Sequence, residues 1–228
     1  MSAFPPSPIG SFAPGSTGLS LRLVLFRQRD ETAKRWMDIV LGAIFLILAA
    51  VPMLLIAAVI RLTSPGPALF RQERIGLNGQ RFIMLKFRTM RDTPVPPNAC
   101  PQATRRDPRV TWAGAWLRRT SFDELPQLFN VLAGSMSLVG PRPHAPNTCA
   151  AGRPFEAVSH RYAARHRVKP GMTGLAQIRG WRGETDTEEK LLNRIDSDLE
   201  YIAARTAWLD LTIVCRTILT VLRMPNAY

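Results

Sequence analysis

The sequence predicts a mostly helical α/β protein with a small sheet, in which a re-entrant membrane helical hairpin leads into a compact domain carrying interfacial amphipathic helices. Three observations carry that reading. Residues 39–60 run for 22 positions without a charge, with Pro52 near the middle, Lys34 and Arg35 ahead, and Arg61, Arg71 and Arg74 behind. Residues 82–90 alternate apolar and polar in the manner of a strand. The stretches around 112–119, 126–132, 188–204 and 208–222 instead show helical signals.

Residues 1–20 are rich in Pro, Gly and Ser and almost uncharged, so residues 1–33 are expected to form a disordered or loosely structured leader. They lack the basic start and small-residue cleavage site of a signal peptide. The membrane element is expected over 34–62. Its 22 uncharged residues reach about 33 Å at helical rise, enough to cross the hydrocarbon core of a bilayer. Positive charge marks the cytoplasmic end of a span, so cations at both ends favour a segment that enters and returns to one face. The bend is placed at Pro52, which has no N–H to give the helical ladder. An ordinary spanning helix with a tolerated proline is the alternative. A buried soluble helix fits less well, because the run has no polar face.

The soluble part is expected over 63–228. Ser64-Pro-Gly-Pro67 reads as a turn, 82–90 as a strand and the proline-rich 93–101 as a loop. A helix after Arg109 carries Trp112 and Trp116 toward an interface. Another begins at Pro126 and stops at Gly134. The helix 188–204 holds the acidic cluster, and 208–222 closes the chain as an amphipathic helix.

The formal charge is +13, while residues 184–200 hold seven acids against two bases, so the remainder is more basic still. Such a surface expects an anionic partner: nucleic acid, an acidic membrane face or phosphorylated small molecules. Cys100, Cys149 and Cys215 are odd in number and far apart, which argues against a disulfide framework and for a reducing, cytosol-facing location. Three histidines without a metal-binding spacing make a zinc enzyme a poor fit, but leave a hard cation on oxygen ligands open.

The chemistry centres on Asp123 and Glu124. Ser121-Phe-Asp-Glu124 has the form of a capping box. Pro126 weakens that reading, since a helix counted from Ser121 would put the proline beyond its first turn. If the helix starts at Pro126, both carboxylates lie just ahead of it. Arg118, Arg119 and Arg142 crowd the same region, Arg142 being stiffened by prolines on both sides, and Lys86 and Arg88 are further candidates. Each arginine alone is commonly a solvated charge. Five cations near one acidic pair look instead like an anion site.

With these motifs in view, the chain resembles the bacterial sugar transferase family, the monotopic polyprenyl-phosphate phosphoglycosyl transferases. The likeness is carried by Lys34-Arg-Trp-Met-Asp38, the apolar run, Ser64-Pro-Gly-Pro67, Lys86-Phe-Arg-Thr-Met90, Asp107-Pro-Arg-Val-Thr111, the segments 117–127 and 136–143, and Lys169-Pro-Gly-Met-Thr-Gly-Leu-Ala-Gln177. It implies a UDP-sugar and undecaprenyl phosphate as substrates, UMP as product, and the cytoplasmic face of a bacterial inner membrane as the location. It assigns Asp123 as nucleophile forming a covalent phosphosugar intermediate, and Glu124 to a Mg2+ ion. Lys86, Arg88, Arg118, Arg142 and Gln177 are implied to line the phosphate or substrate site, and the apolar run is implied to be re-entrant. Some relatives break that helix at a Ser-Pro pair; here Val51 precedes Pro52. Relatives often flank Gly134 with a charged pair, where this chain has Ala133 and Ser135.

Residues 180–187 and 226–228 resemble the branch that uses UDP-glucose in exopolysaccharide synthesis, so glucose ranks ahead of galactose. Many relatives there carry an N-terminal membrane bundle and an extra domain; the catalytic unit alone is expected here. A membrane-tethered basic protein that binds nucleic acid or anionic lipid without chemistry gives no role to the acidic pair, and the sequence has no nucleic-acid-binding motif. A multi-spanning transporter lacks further long apolar segments. The oligomeric state stays open, a homodimer included.

Overall fold

A computed structural model of the protein describes residues 17–91 and 107–223, with side chains described over 31–91 and 107–221. The expected loop at 93–101, Cys100 and the terminal 226–228 motif lie outside those residues, as do residues 1–16 of the expected leader.

Helix α1 (Thr17–Thr63) contains Pro52 and begins well ahead of the expected boundary at 34. The chain does not break into two helices at Pro52. One stripe of α1 packs on the remainder of the protein: Asp38, Gly42, Met53 and Ile60 are buried, with Phe45, Ala49 and Ile56 half-buried between them. Their spacing of three, four or seven residues is that of one helix face. Ile47, Leu48, Val51, Leu54, Leu55 and Leu62 are each more than 60% exposed on other faces of the helix.

Polar anchors secure the beginning of this stripe. Asp38 accepts hydrogen bonds from Ser137 Oγ and the Leu138 amide, both at 3.0 Å. Arg35 donates to the carbonyls of Val131 and Leu132 at 2.7 and 2.8 Å. Lys34 pairs with Asp210 and reaches the Val139 carbonyl at 3.1 Å. Gly42 lets α1 lie close against its neighbour, since a Cβ there would meet Leu132 at 3.3 Å and Val131 at 3.4 Å.

Strands β1 (Leu69–Ile75) and β2 (Arg81–Phe87) form an antiparallel hairpin with Phe70 opposite Lys86. Helices α2 (Trp112–Thr120) and α3 (Gln127–Ala133) follow. Asn130 of α3 completes the free edge of β2, accepting from Leu85 N at 2.9 Å and donating to Ile83 O at 2.8 Å. Gly134 ends α3 at φ 85°, as expected of a left-handed cap.

Strand β3 (Ser137–Val139) then runs parallel to a later strand, and the short antiparallel pair β4 (Cys149–Ala150) and β5 (Arg153–Pro154) leads into α4 (Phe155–Val158). The partner of β3 is β6 (Gly171–Thr173), followed by α5 (Leu175–Ile178), α6 (Glu188–Ala204) and α7 (Ala207–Arg223). Thr187 caps α6 by accepting from the Lys190 amide. Cys149 is disulfide-bonded, contrary to expectation. Cys215 is a free, exposed thiol.

The largest apolar core joins Leu128 and Val131 of α3, Leu138 and Val139 of β3, Tyr201 of α6, and Ile213 and Val214 of α7, with Leu41, Phe45 and Ala49 of α1 packed onto it. A second cluster joins Met53 and Ile60 of α1 to Phe87 and Leu117.

Replacing Asp38 by Ala strands the buried Leu138 amide, while the Ser137 hydroxyl keeps the Val139 carbonyl at 3.0 Å. An unpaired buried polar group costs about 1–3 kcal/mol, so Asp38→Ala is expected to lower Tm by several degrees in thermal denaturation of the detergent-solubilised chain, with Asp38→Asn falling between.

Candidate active site

Helix α2 ends at Ser121, which adopts φ 63° and closes the helix by donating its amide to Arg118 and Leu117 carbonyls. The capping-box reading therefore fails: Ser121 ends one helix instead of beginning another, and its hydroxyl is bound by Arg182. Phe122–Glu124 form a single 3-10 turn, and α3 starts after Pro126 as its proline required. Asp123 and Glu124 are thus held in a tight turn between two helices.

Arg142 reaches Glu124 from the loop after β3. Its Nη1 lies 3.1 Å from Oε2 and its Nη2 2.5 Å from Oε1, a two-pronged grip, while Lys86 Nζ of β2 lies 3.4 Å from Oε1. The local backbone explains the placement. Gly140 passes so close to the turn before β6 that a Cβ on it would lie 2.5 Å from the Lys169 carbonyl, and one on Gly171 would lie 2.1 Å from the Gly140 nitrogen. Only glycine fits either position. On the far side, Arg165 donates to the Arg142 carbonyl at 2.8 Å and is itself paired with buried Asp198 at 2.6 Å.

The two neighbouring carboxylates are therefore unlike. Burial alone would raise the Glu124 pKa, but Arg142 and Lys86 outweigh it and hold this carboxyl well below its ordinary range. Asp123 is 6% exposed and accepts no hydrogen bond from the described residues. Burial, reinforced by the Glu124 charge, pushes its pKa up to about 6 against the pull of Lys86, Arg142 and Arg118. Burial also lowers the Lys86 pKa, with Glu124 opposing. One acid is a fixed counter-ion, and the other is an unpaired carboxylate.

The remaining expected residues divide. Arg118 donates to Thr89 Oγ1 at 2.9 Å and contributes its charge at Asp123. Gln177 donates to the Met172 carbonyl at 2.9 Å and, like Pro52, lines a cavity beside the pair. Arg88 is not brought to the acids: it is buried and spends its guanidinium on the Ser64 carbonyl and hydroxyl, at 2.8 and 2.9 Å, and on the Pro65 carbonyl. It fastens the loop that follows α1.

The cavity has a volume of about 450 Å³. Its walls are apolar, with Phe45, Leu48 and Pro52 from α1 and Val214, Ile218 and Val221 from α7. Glu124, Arg142 and Arg182 are the charged residues of its lining. Arg182 was not singled out from the sequence, although Gly180-Trp-Arg-Gly183 was a visible motif; its cationic centre between two glycines was the available signal. No group of three His, Cys, Asp or Glu able to cage a metal occurs among the described residues.

A family model described as bacterial sugar transferase matches residues 29–224. A UDP-glucose:undecaprenyl-phosphate glucose-1-phosphate transferase of Caulobacter vibrioides is 51% identical over 198 residues, covering 87% of this chain and 73% of that protein. One of the same name from Escherichia coli is 49% identical over 191 residues, 83% of this chain and 40% of that protein. An undecaprenyl-phosphate glucose phosphotransferase of Komagataeibacter xylinus is 47% identical over 222 residues, 97% of this chain and 41% of that protein. The chain thus spans about two-fifths of the length of the latter two relatives.

Ionised Asp123 is costly in the fold. An acid whose folded pKa is raised contributes stability below its unfolded value, near 3.8, and loses it as pH rises through about 6. Asp123→Asn, which removes the buried charge, is therefore expected to raise Tm at pH 7.5, with the gain shrinking below pH 6 and vanishing near pH 4. Thermal scans of both proteins across that range check the sign.

Proposed function

The chain belongs to the bacterial sugar transferase family, and we propose that it transfers glucose 1-phosphate from UDP-glucose to undecaprenyl phosphate, releasing UMP, at the cytoplasmic face of the inner membrane as an opening step of exopolysaccharide synthesis. The observation that carries the reading is the unequal acidic pair: Glu124 clamped by Arg142 and Lys86 beside the unpaired, buried carboxylate of Asp123, next to an apolar cavity. The names of the relatives favour glucose over galactose.

An Asp123 carboxylate oxygen attacks the sugar-bearing phosphorus of the donor. The new O–P bond forms as the bond to the bridging oxygen breaks, and that oxygen leaves with its electron pair on UMP. An oxygen of the lipid phosphate then attacks the same phosphorus and restores the Asp123 carboxylate. Each displacement joins two anions, so nearby cations that soften their repulsion lower both barriers. Arg142, Lys86 and Arg118 supply them. A carboxylate has roughly four acceptor sites, and the contacts from Arg142 and Lys86 use three of those of Glu124, so Glu124 has room to help hold a Mg2+ ion bound mainly through substrate phosphates. Such an ion would offset pyrophosphate charge and ease UMP departure.

The membrane reading is a same-face one. Asp38, near the start of the apolar run, and Ile60, at its end, are both buried against the same body. A helix crossing the bilayer would separate them. The exposed apolar side chains of α1, with Trp36, Trp112 and Trp208 each more than 60% exposed, fit a surface sunk into one leaflet.

UMP release from a panel of UDP-sugars, with purified protein and undecaprenyl phosphate, tests the reaction. UDP-glucose is expected to be the preferred donor, and absence of UMP with every sugar overturns the proposal. Asp123→Asn is expected to abolish release while membrane association persists. In the wild type the rate of UMP release should fall about tenfold per pH unit below about 6, as the nucleophile protonates. Cysteine labelling near residues 34 and 71 should report one membrane face; opposite faces would mean a true span.

A further inference from the structure

We propose that Arg182 takes the phosphate of the apolar-tailed acceptor in the cavity it lines, and that Arg194 is the positioning residue that holds it there. The proposal rests on the phosphotransfer reading above, and it assigns a separate residue to the second substrate.

Arg142 and Lys86 are already committed to Glu124. Arg182 is differently placed. It lines the same cavity, but its one hydrogen bond among the described residues goes to a neutral hydroxyl, that of Ser121. Its charge is felt at Glu124, so it stands near the acidic pair without being neutralised by it. Ile218 and Val221 of α7 share the cavity with it, as do Phe45, Leu48 and Pro52 of α1. A phosphate that arrives with an apolar chain satisfies both the apolar walls and the charged lining; a nucleotide, polar at both ends, does not. Exchanging one neutral partner for a phosphate costs Arg182 little, and a charge-assisted bond gains more than the hydroxyl gave.

The loop that presents Arg182 is braced at both of its neighbours. Gly180 and Gly183 adopt φ 90° and 84°, which turns the chain sharply around Trp181 and Arg182. Arg194 of α6 spans that turn, donating Nε to the Trp181 carbonyl at 3.1 Å and Nη2 to the Gly183 carbonyl at 3.2 Å. It is 4% exposed and forms no salt bridge among the described residues: the neighbouring Asp198 carboxylate is occupied by Arg165. A buried cation spent on two carbonyls, one on each side of another arginine, is costly unless the position of that arginine matters. Arg194 Nη1 also lies 3.3 Å from His144 Nε2, and Arg165 Nη1 lies 2.7 Å from His144 Nδ1. Burial and the surrounding arginines hold the His144 pKa well below its ordinary value, so the ring is neutral. Through that ring the brace behind Arg182 meets the brace behind Arg142, and α6, with Arg194 and Asp198 one turn apart, carries both.

The test uses the full chain in detergent and two independent readouts. Thermal stabilisation by undecaprenyl phosphate is measured without turnover, beside undecaprenol, inorganic phosphate and UDP-glucose. The wild type is expected to be stabilised by undecaprenyl phosphate well beyond either half of that molecule. Arg182→Ala should lose this shift and keep the one from UDP-glucose; in turnover it should raise acceptor KM at least tenfold while donor KM moves less than threefold. Arg182→Lys should recover part of the acceptor effect. Arg194→Lys keeps a buried cation but loses the two-carbonyl fork, and should show the same acceptor-selective split with a smaller rise.

Equal loss of both ligand shifts, equal rises in both KM values, or full recovery with Arg194→Lys would overturn the assignment. Failure of the wild type to respond to undecaprenyl phosphate would overturn it outright. Absence of UMP formation alongside an intact, Arg182-dependent lipid shift would instead reject the donor half of the reading and leave this site standing.

Discussion

The two-pronged contact between Arg142 and Glu124 is the constraint around which the candidate site is arranged. Two adjacent carboxylates in a turn repel one another, and burial makes that repulsion stronger. By clamping Glu124, Arg142 makes the pair unequal: one acid becomes a permanent anion, and the cost of the second charge falls on Asp123 alone. A carboxylate that is buried and unpaired yet still ionised near neutrality is a reactive one. Its instability in the folded protein and the nucleophilic role proposed for it have the same physical origin.

Holding Arg142 in place requires much of the rest of the fold. Gly140 and Gly171 bring two backbones to a distance that no side chain permits, which fixes where the loop leaves β3. Arg165 grips the Arg142 carbonyl and is itself held by Asp198, with His144 wedged beside it. Lys86 arrives from the hairpin, whose free edge Asn130 completes from α3, the helix that follows the acidic turn. The same helix is held at its other end by Arg35. The long apolar helix α1, the hairpin and the acidic turn are thereby tied together, and α1 also supplies part of the apolar wall of the cavity.

Much of this was legible in the sequence. The uncharged run, the strand at β2, the helix start after Pro126, its stop at Gly134 and the limits of α6 each follow from local chemistry, where a proline, a glycine or a change of period acts within a few residues. The crowding of Arg118, Arg142 and Lys86 around the acidic pair was visible and read as an anion site; that Arg142 and Lys86 would clamp Glu124 was not. Arg88 was misplaced for the same reason: crowding in sequence says nothing of which carbonyls a guanidinium will meet, and Arg88 meets those of Ser64 and Pro65. Ser121 likewise carried the signature of an N-cap, but its left-handed backbone makes it the end of α2.

The sequence by itself determined the elements, the long uncharged run and the identity of the acidic pair, because these depend on residue type and near-neighbour spacing. Tertiary structure decided which acid would be neutralised, that Arg88 would serve a turn, that Arg182 would join the cavity from nearly sixty residues away, and that both ends of the apolar run would rest on one body. Those outcomes depend on distances between segments far apart in the chain. Hydrogen bonds fall away over a few ångströms and charge interactions over about ten, so they are settled only when the backbone has brought the groups together.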